Sequence, residues 1–506
     1  MSSKEITELR KKGKLNEALQ MANQILEIEP ENIWNKRAAA WVYYEYLKKY
    51  AQADSFELFK ANLIKIKELE LPESEKTIFD NCAWQIGKLV FSLQKIEHVD
   101  YAKINEIFEI IKDFHFTKPS EEYSFIYKAF HKGYQKWSKY LAFADWWDFE
   151  NLRPEDYLKE EFNNIKKMSI AEQAYIAYSK KLLTNGVPLD SFGKTRLIDK
   201  EKIHSFLPKL ESLIDKHPEY QYPPYYKAKL LLALGDAHNA LSTFLPFARQ
   251  KRNEFWIWTL MAEIFSEDID IQFACYCKAL SLKTPDTILV NLRQTFAGIL
   301  ITNKMYDEAK TEIQKIIETR RKEKKELSKP VVQWTKEDWY QSAIAKKDNM
   351  DLYSKYLKEA EEILYQDITE ELVAVEFVNK NKSILNFVKD KQKFGFFNYS
   401  ESLSNPQIGD LLKVRFHGEG QDGFYKILTA KKVDSNLTSE AIKQFQGTLK
   451  VIPPQNFGFV EDVFIDSQMV EKYKLNDGQT VEGRAILSFN KKKDEWGWKG
   501  IEIKNN

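Results

Sequence analysis

The run QFQGTLKVIPPQNFGFVEDVFIDSQ, Gln444–Gln468, carries three phenylalanines near its end, Phe457, Phe459 and Phe464. Divided into GTLKVI, NFGFV and DVFID, it sorts by the period-two alternation of a pleated backbone. In NFGFV, Phe457 and Phe459 share one side, and Gly458 and Val460 the other. In DVFID, Val463 and Ile465 share a side and leave Phe464 opposite, with Asp462 and Asp466. Val460, Val463 and Ile465 can therefore fill one small core, which sets Phe457, Phe459 and Phe464 together on the outer side. Gly458 suits close backbone passage at the wall and leaves the flanking rings unobstructed. Three rings on the solvent face of a small β domain cost solubility unless they bind something. Such rings stack nucleobases at roughly 1–3 kcal/mol per base, whatever the sequence.

Outward from that run, the chain is written in two periods. Up to about residue 366, apolar residues return every three or four positions with few internal glycines or prolines, which predicts successive helices. After about residue 370, short alternating runs such as LLKVRF and YKILTAKKV are separated by turn clusters such as HGEGQDG. The expected fold is mainly α with a C-terminal all-β part: an α-solenoid of helical hairpins, then two small barrels. The segments are 1–220 and 221–366 for the helices, and 370–436 and 444–506 for the barrels.

In LLLALGDAHNALSTFL, Leu234, Gly235 and Ala240 stand where a helix–turn–helix repeat needs a turn and a small packing residue. Ala274 follows thirty-four positions later and Ala309 thirty-five after that. GKLNEALQMANQILEIEPENIWNKRAAAW repeats the plan with Gly13, Ala18 and Pro30. A period near 34 residues is that of tetratricopeptide repeats, which residues 1–70 and 222–320 resemble. The helices between them, such as 75–97 and 119–143, keep the periodicity without the motif. The resemblance implies a concave face that holds a peptide or helix of a protein partner. The aromatic runs WVYYEYLKKY and ADWWDF read as packing between helices, with a ligand pocket as the alternative. The run RKEKKELSK, 321–329, reads as a solvated helix end or as a strip touching phosphates. Two capping helices are expected around Lys336–Lys347 and Asp351–Tyr365.

FGFV followed by DVFI resembles the paired ribonucleoprotein motifs of the cold-shock domain. The downstream run SQMVEKYKLNDGQTVEGRAI is similar to the RNA-binding cold-shock-like domain of the bacterial transcription terminator Rho. The shared pattern covers residues 446–503: a GTL strand, the two motifs, a short amphipathic helix and an LxxGxxVxG strand entry. This resemblance implies a five-stranded OB barrel with Phe457, Phe459 and Phe464 in base-stacking positions. The chain departs from the pattern at Asn456, where cold-shock proteins usually carry a basic residue, and at Asp466, where a histidine is common. The turn between the motifs is cut to Glu461–Asp462, and the added acid lowers the attraction for phosphate.

The last hairpin, RAILSFNKKKDEWGWKGIEI, sets Lys491, Lys492 and Lys493 in a turn. Trp496 and Trp498 share parity with Glu502, opposite Ile501 and Ile503, and so face outward unless a bulge at Gly500 swaps the register. Three lysines beside exposed rings suit a single-stranded backbone. The alternative is a solvated turn with edge tryptophans packed on the helices. Upstream, SILNFVKDKQKFGFFNYS resembles a cold-shock first strand plus first motif, with Lys393, Phe394, Gly395 and Phe396. Alternation turns Phe394 and Phe396 out and Phe397 in, and binding is expected at Lys393, Phe394 and Phe396. No DVF-type motif follows, so this is a degenerate barrel, made locally basic by Lys389, Lys391 and Lys393.

Lysine plus arginine (76) nearly equals aspartate plus glutamate (75), so attraction to nucleic acid needs a local patch. Three cysteines, Cys82, Cys275 and Cys277, do not make a disulfide framework. With no signal-like opening and no apolar run long enough for a membrane span, a cytoplasmic protein without membrane contact is expected. No GxxxxGK[ST] loop, GxSxG elbow or metal-spaced histidine pair is present, so no catalytic residue, metal or other cofactor is expected. The chain reads as a non-enzymatic adaptor whose repeats hold a protein and whose barrels bind single-stranded RNA or DNA, with RNA favoured by the resemblance. Repeat proteins fused to S1-like or cold-shock-like barrels resemble components of bacterial conflict or defence systems. The alternatives are a pure protein-interaction scaffold and an effector enzyme with a site in residues 75–220.

Overall fold

Gly235 adopts a left-handed conformation (φ 89°) that an L side chain resists, and so ends the Pro223–Leu234 helix. Asp236 then caps the Ala237–Gln250 helix by accepting from the Asn239 amide at 3.1 Å. Ala240 in that helix has no exposed surface, and neither have Ala18, Ala274 and Ala309, the small residues of the repeat pattern. A larger side chain at these positions would force paired helices apart.

The computed structural model describes residues 2–159, 161–162, 165–184, 187–188, 196–433, 437–490 and 494–504. They form two units, Met1–Gln272 and Phe273–Asn506. The first is built of helices such as Leu15–Ile28, Ile33–Tyr50, Lys76–Leu93, Glu121–His131 and Ile170–Thr184. Their apolar stripes meet in a continuous core that takes up the aromatic runs. Tyr43, Tyr44, Tyr46, Trp147 and Phe149 are buried, and Tyr123 stacks on Trp147 with centroids 5.0 Å apart. Among the described residues, no helix is long and apolar enough to cross a membrane, and no group of three His, Cys, Asp or Glu could hold a metal ion.

All three cysteines are buried, and burial pushes each thiol well above the ordinary range. Thiolate is the reactive form, so the folded chain is expected to leave Ellman's reagent unreacted, with three thiols appearing on denaturation. A thiol titrating rapidly under native conditions would contradict this burial.

The second unit opens with helices including Asp286–Thr302, Tyr306–Glu323 and Met350–Ile363. Among them lies a buried polar cluster. Arg293 donates to Glu312 at 2.5 Å and to Asp286 at 2.7 Å. The other Glu312 oxygen accepts from Asn349 Nδ2 at 2.7 Å and from the Tyr353 hydroxyl. Glu312 has no exposed surface, so these bonds replace its water. The 321–329 charge run forms the end of the Tyr306–Glu323 helix and the segment after it, mostly exposed.

Two five-stranded sheets follow. The first comprises β1 (Glu371–Asn379), β2 (Ile384–Val388), β3 (Phe394–Asn398), β4 (Leu411–Phe416) and β5 (Ile427–Val433), in the order β3-β2-β1-β4-β5. The second comprises β6 (Ile442–Ile452), β7 (Phe457–Val460), β8 (Val463–Ile465), β9 (Thr480–Asn490) and β10 (Glu495–Ile503). It is a closed barrel in the order β6-β7-β8-β10-β9. Strand neighbours match between the two. Parallel pairing of β8 with β10 shuts the second barrel, whereas in the first only a parallel bridge, Phe396 with Phe424, joins β3 to the segment before β5. The motif Phe394–Gly395–Phe396 therefore stands on a third strand. The resemblance reads the SILNFV run as a first strand and so sets the motif on a second, but β1 precedes that run.

Val373, Val375, Leu385, Phe387, Phe397, Leu412 and Val414 fill the first domain. Leu449, Val460, Val463, Ile465, Val481, Ala485 and Ile503 fill the second. A separate buried cluster joins the two: Ala374, Val388 and Leu411 from the first sheet meet Ile486 and Leu487 from the second and Ala441 just before β6. Ser488 donates to Glu376 across this junction at 2.6 Å.

Candidate nucleic-acid interface

Val460, Val463 and Ile465 turn into the second barrel and are fully buried, so Phe457, Phe459 and Phe464 turn out. Register places Phe459 opposite Phe464. The three ring centroids are 5.5–5.9 Å apart and the side chains are half-buried. A Cβ on Gly458 would lie 2.7 Å from Leu449 Cδ1 and 2.8 Å from the Lys450 carbonyl, so any side chain there would force β6 away.

Charge reaches the rings from neighbouring strands. Lys450 on β6 lies opposite Phe459, and Lys499 on β10 lies opposite Phe464, both exposed. Lys499 shares its charge with Asp466 at 3.5 Å. Lys443 pairs with Asp462 at 2.6 Å. The departures from the cold-shock pattern have local causes. Asp466 caps the Ser467–Lys472 helix, accepting from the Met469 amide at 2.9 Å. Asn456 and Glu461 both turn the chain with φ of 54°, a conformation that asparagine tolerates well.

The tryptophans do not face open solvent. Gly500 pairs with Ala485 and Glu502 with Arg484, which makes Ile501 an extra residue. This bulge swaps the register, and Trp496 and Trp498 turn half-buried into the junction with the first sheet. There Trp496 meets Phe394 at 4.8 Å and Phe489 at 5.3 Å. Phe394 points away from its own core, 41% exposed, but into this junction and not beside Phe396. Lys491, Lys492 and Lys493 lie outside the described residues.

On the first sheet, Phe377, Asn386 and Phe396 form a row across β1, β2 and β3. Phe424 continues it, 5.6 Å from Phe396. Phe377 and Phe424 are 50% and 45% exposed. Phe377 follows the inward-facing Val373 and Val375 by parity, yet a bulge at Glu376 re-aims it outward. Lys393 is committed elsewhere: it is paired with Glu371 and lies 4.8 Å over the Phe416 ring. Hydrogen bonds from Lys389 and Lys393 outweigh burial and hold the Glu371 carboxyl below its usual range. Phe424 was visible as an aromatic beside the HGEGQDG turn cluster. Lys450, Lys499, Phe377 and Asn386 become site residues only once strand register is known.

Family models match three segments. Residues 365–428 match the S1/CSD-like domain 1 of the TOTE conflict systems, and residues 443–503 match S1/CSD-like domain 2 of those systems. Residues 221–360 match a domain of unknown function (DUF7017). No curated protein matches the chain. Among solved structures, the TPR domain of P58(IPK) aligns at 12% identity over 72% of this chain and 97% of that one, with a TM-score of 0.19. The repeat reading of the helices rests on their spacing and packing. The C-terminal part of the chain is a tandem of S1/CSD-like domains of the type found in TOTE conflict systems.

Proposed function

We propose that this chain is a non-enzymatic adaptor of a conflict system, in which the tandem C-terminal domains bind single-stranded nucleic acid and the helical repeats hold a protein partner. The observation that carries the reading is the trio Phe457, Phe459 and Phe464, held within 5.5–5.9 Å of one another on the outside of a barrel. Rings gathered on the outer face of a barrel are what a strand of bases stacks on. The similarity to an RNA-binding module favours RNA over DNA. On the first sheet, Phe396 and Phe424, with Phe377 in the same row, offer a second stacking face, and the Asn386 amide can bond a base edge.

For the protein partner, a groove of about 900 Å³ in the first unit is lined by Ile64, Pro72 and Phe114, and its charges are paired at Lys67 with Asp113 (2.7 Å) and Lys65 with Glu68 (2.8 Å). It suits an apolar segment of a partner.

The test is fluorescence anisotropy of the full chain with labelled single-stranded RNA and DNA at two or more salt concentrations. Two to three lysines beside the second-barrel rings imply a slope of log K against log salt of about −1.5 to −2. A slope steeper than about −4 would mean that another basic surface carries the affinity. A folded chain that binds neither strand would return the rings to a protein interface. A fragment for such work has to begin before Glu371, since β1 starts there.

A further inference from the structure

Two neighbouring helices of the first unit share a face that is basic and aromatic. On Lys76–Leu93, Trp84, Lys88 and Phe91 recur at helical spacing along one side. Phe125, Lys128 and Lys132 do the same along Glu121–His131 and the residue after it. Gly87 lets the two helices close, since a Cβ there would lie 2.4 Å from Phe125 Cε1. The Phe125 ring thus reaches across, 4.6 Å from Trp84 and 5.6 Å from Phe91. Residues 81–96 and 123–144 hold six lysines and no aspartate or glutamate, in a chain of nearly balanced charge. Lys139 is paired with Glu109 of another helix at 2.9 Å. Lys88 and Lys132 are exposed and make no ion pair among the described residues. Lys88 reaches Gln85 at 3.4 Å, and Lys132 lies 5.7 Å over the Phe91 ring.

Beside Lys132 a pocket of about 280 Å³ opens, lined by Phe91, Lys128, Ile170 and Gln173 together with Tyr127 and His131. The last two bond the Tyr140 hydroxyl, at 2.6 Å and 2.9 Å, and burial pushes the imidazole down to about 4, so both are uncharged at neutral pH. The volume falls below the usual range of small-molecule sites, about 300–1,000 Å³, and suits one large apolar side chain. We infer that this face takes an acidic segment of the protein partner, on the reading that the helical repeats hold a protein. An aromatic or long aliphatic residue of that segment fills the pocket. Its carboxylates meet Lys132 at the pocket and Lys88, one turn from Phe91. Cations left without partners on a face free of acids favour such a segment over a basic one. Stacked bases fit less well, because the Lys132 ammonium covers the Phe91 ring and Phe125 spans the space between Trp84 and Phe91.

The experiment pans phage-displayed random dodecapeptides against the full chain. Enriched sequences are expected to set aspartates or glutamates around one aromatic or long aliphatic residue. The leading sequence, made as a labelled peptide, should bind the full chain and lose about tenfold in affinity to the variant Lys88→Glu with Lys132→Glu. Gln173→Trp, which fills the pocket without changing charge, should weaken the same peptide. Circular dichroism checks that both variants stay folded. Enriched peptides without an acidic bias, or an affinity that survives both variants, overturn the inference while the repeats still hold a protein. If no peptide is enriched, the inference falls and the reading of the repeats as a protein holder loses its support with it. If the lysine variant instead loses about tenfold in affinity for single-stranded RNA while the peptide is unaffected, the face belongs to nucleic acid and the inference is overturned.

Discussion

Replacing Phe457, Phe459 and Phe464 together by alanine is expected to weaken single-stranded RNA binding by about 30-fold or more, since each stacked base contributes roughly 1–3 kcal/mol. Even two bases stacked on three rings reach that figure. The change should leave the barrel standing, because Val460, Val463 and Ile465 fill the core while the three rings lie outside it. Thermal unfolding within about 2 °C of the parent, together with the lost affinity, would separate a binding role from a folding role. The single change Gly458→Val is the structural counterpart: a Cβ 2.8 Å from the Lys450 carbonyl distorts the wall and should lower binding and stability together. Unchanged affinity in a well-folded triple variant would move the strand off this face altogether.

The largest stability effect is expected outside the barrels, at Glu312. Truncation to alanine strips the Arg293 guanidinium, 5% exposed, of its buried partner and leaves Asn349 and Tyr353 without their acceptor. Burial disfavours the charged guanidinium, yet Glu312 outweighs it and holds Arg293 protonated above its usual range. Asp286 still touches Arg293 at 2.7 Å but is 57% exposed, so it softens the loss without removing it. Breaking such a pair from one side costs about 3 kcal/mol or more. For a unit of this size, that is a fall of about 6–12 °C in the unfolding midpoint. Replacing both partners, Arg293→Met with Glu312→Leu, should recover most of the loss, because no unpaired charge then remains inside. A shift under about 2 °C for Glu312→Ala would show that water reaches the cluster.

Alternation along NFGFV and DVFID was enough to separate core from surface, because both strands are short, regular and one-sided. The repeat spacing was enough to find Ala18, Ala240, Ala274 and Ala309, whose methyl groups all end without exposed surface. Where one extra residue enters a strand, the same alternation inverts. The bulge at Glu376 brings Phe377 out, and the one at Ile501 turns Trp496 and Trp498 in. A bulge is a property of two paired strands, and the partner strand is not written beside the residue in the chain. The lysines near the rings were hidden for the same reason. Lys450 and Lys499 reach Phe459 and Phe464 only through cross-strand register, on strands separated from the rings by loops or a helix. The junction cluster was hidden too, since Ala374, Val388 and Ile486 sit on outer faces that alternation alone assigns to solvent.

That junction makes the tandem a gauge of length. Ala374, Val388 and Leu411 packed on Ala441, Ile486 and Leu487 fix the distance between the ring trio and the Phe396–Phe424 face. An oligonucleotide too short to reach from one to the other gains a single foothold. One that spans both engages the second at high effective concentration, with no new chemistry. Affinity plotted against the number of nucleotides should therefore climb in a step, at a length set by the protein and not by the strand, and a flexible joint would have smeared that step into a slope.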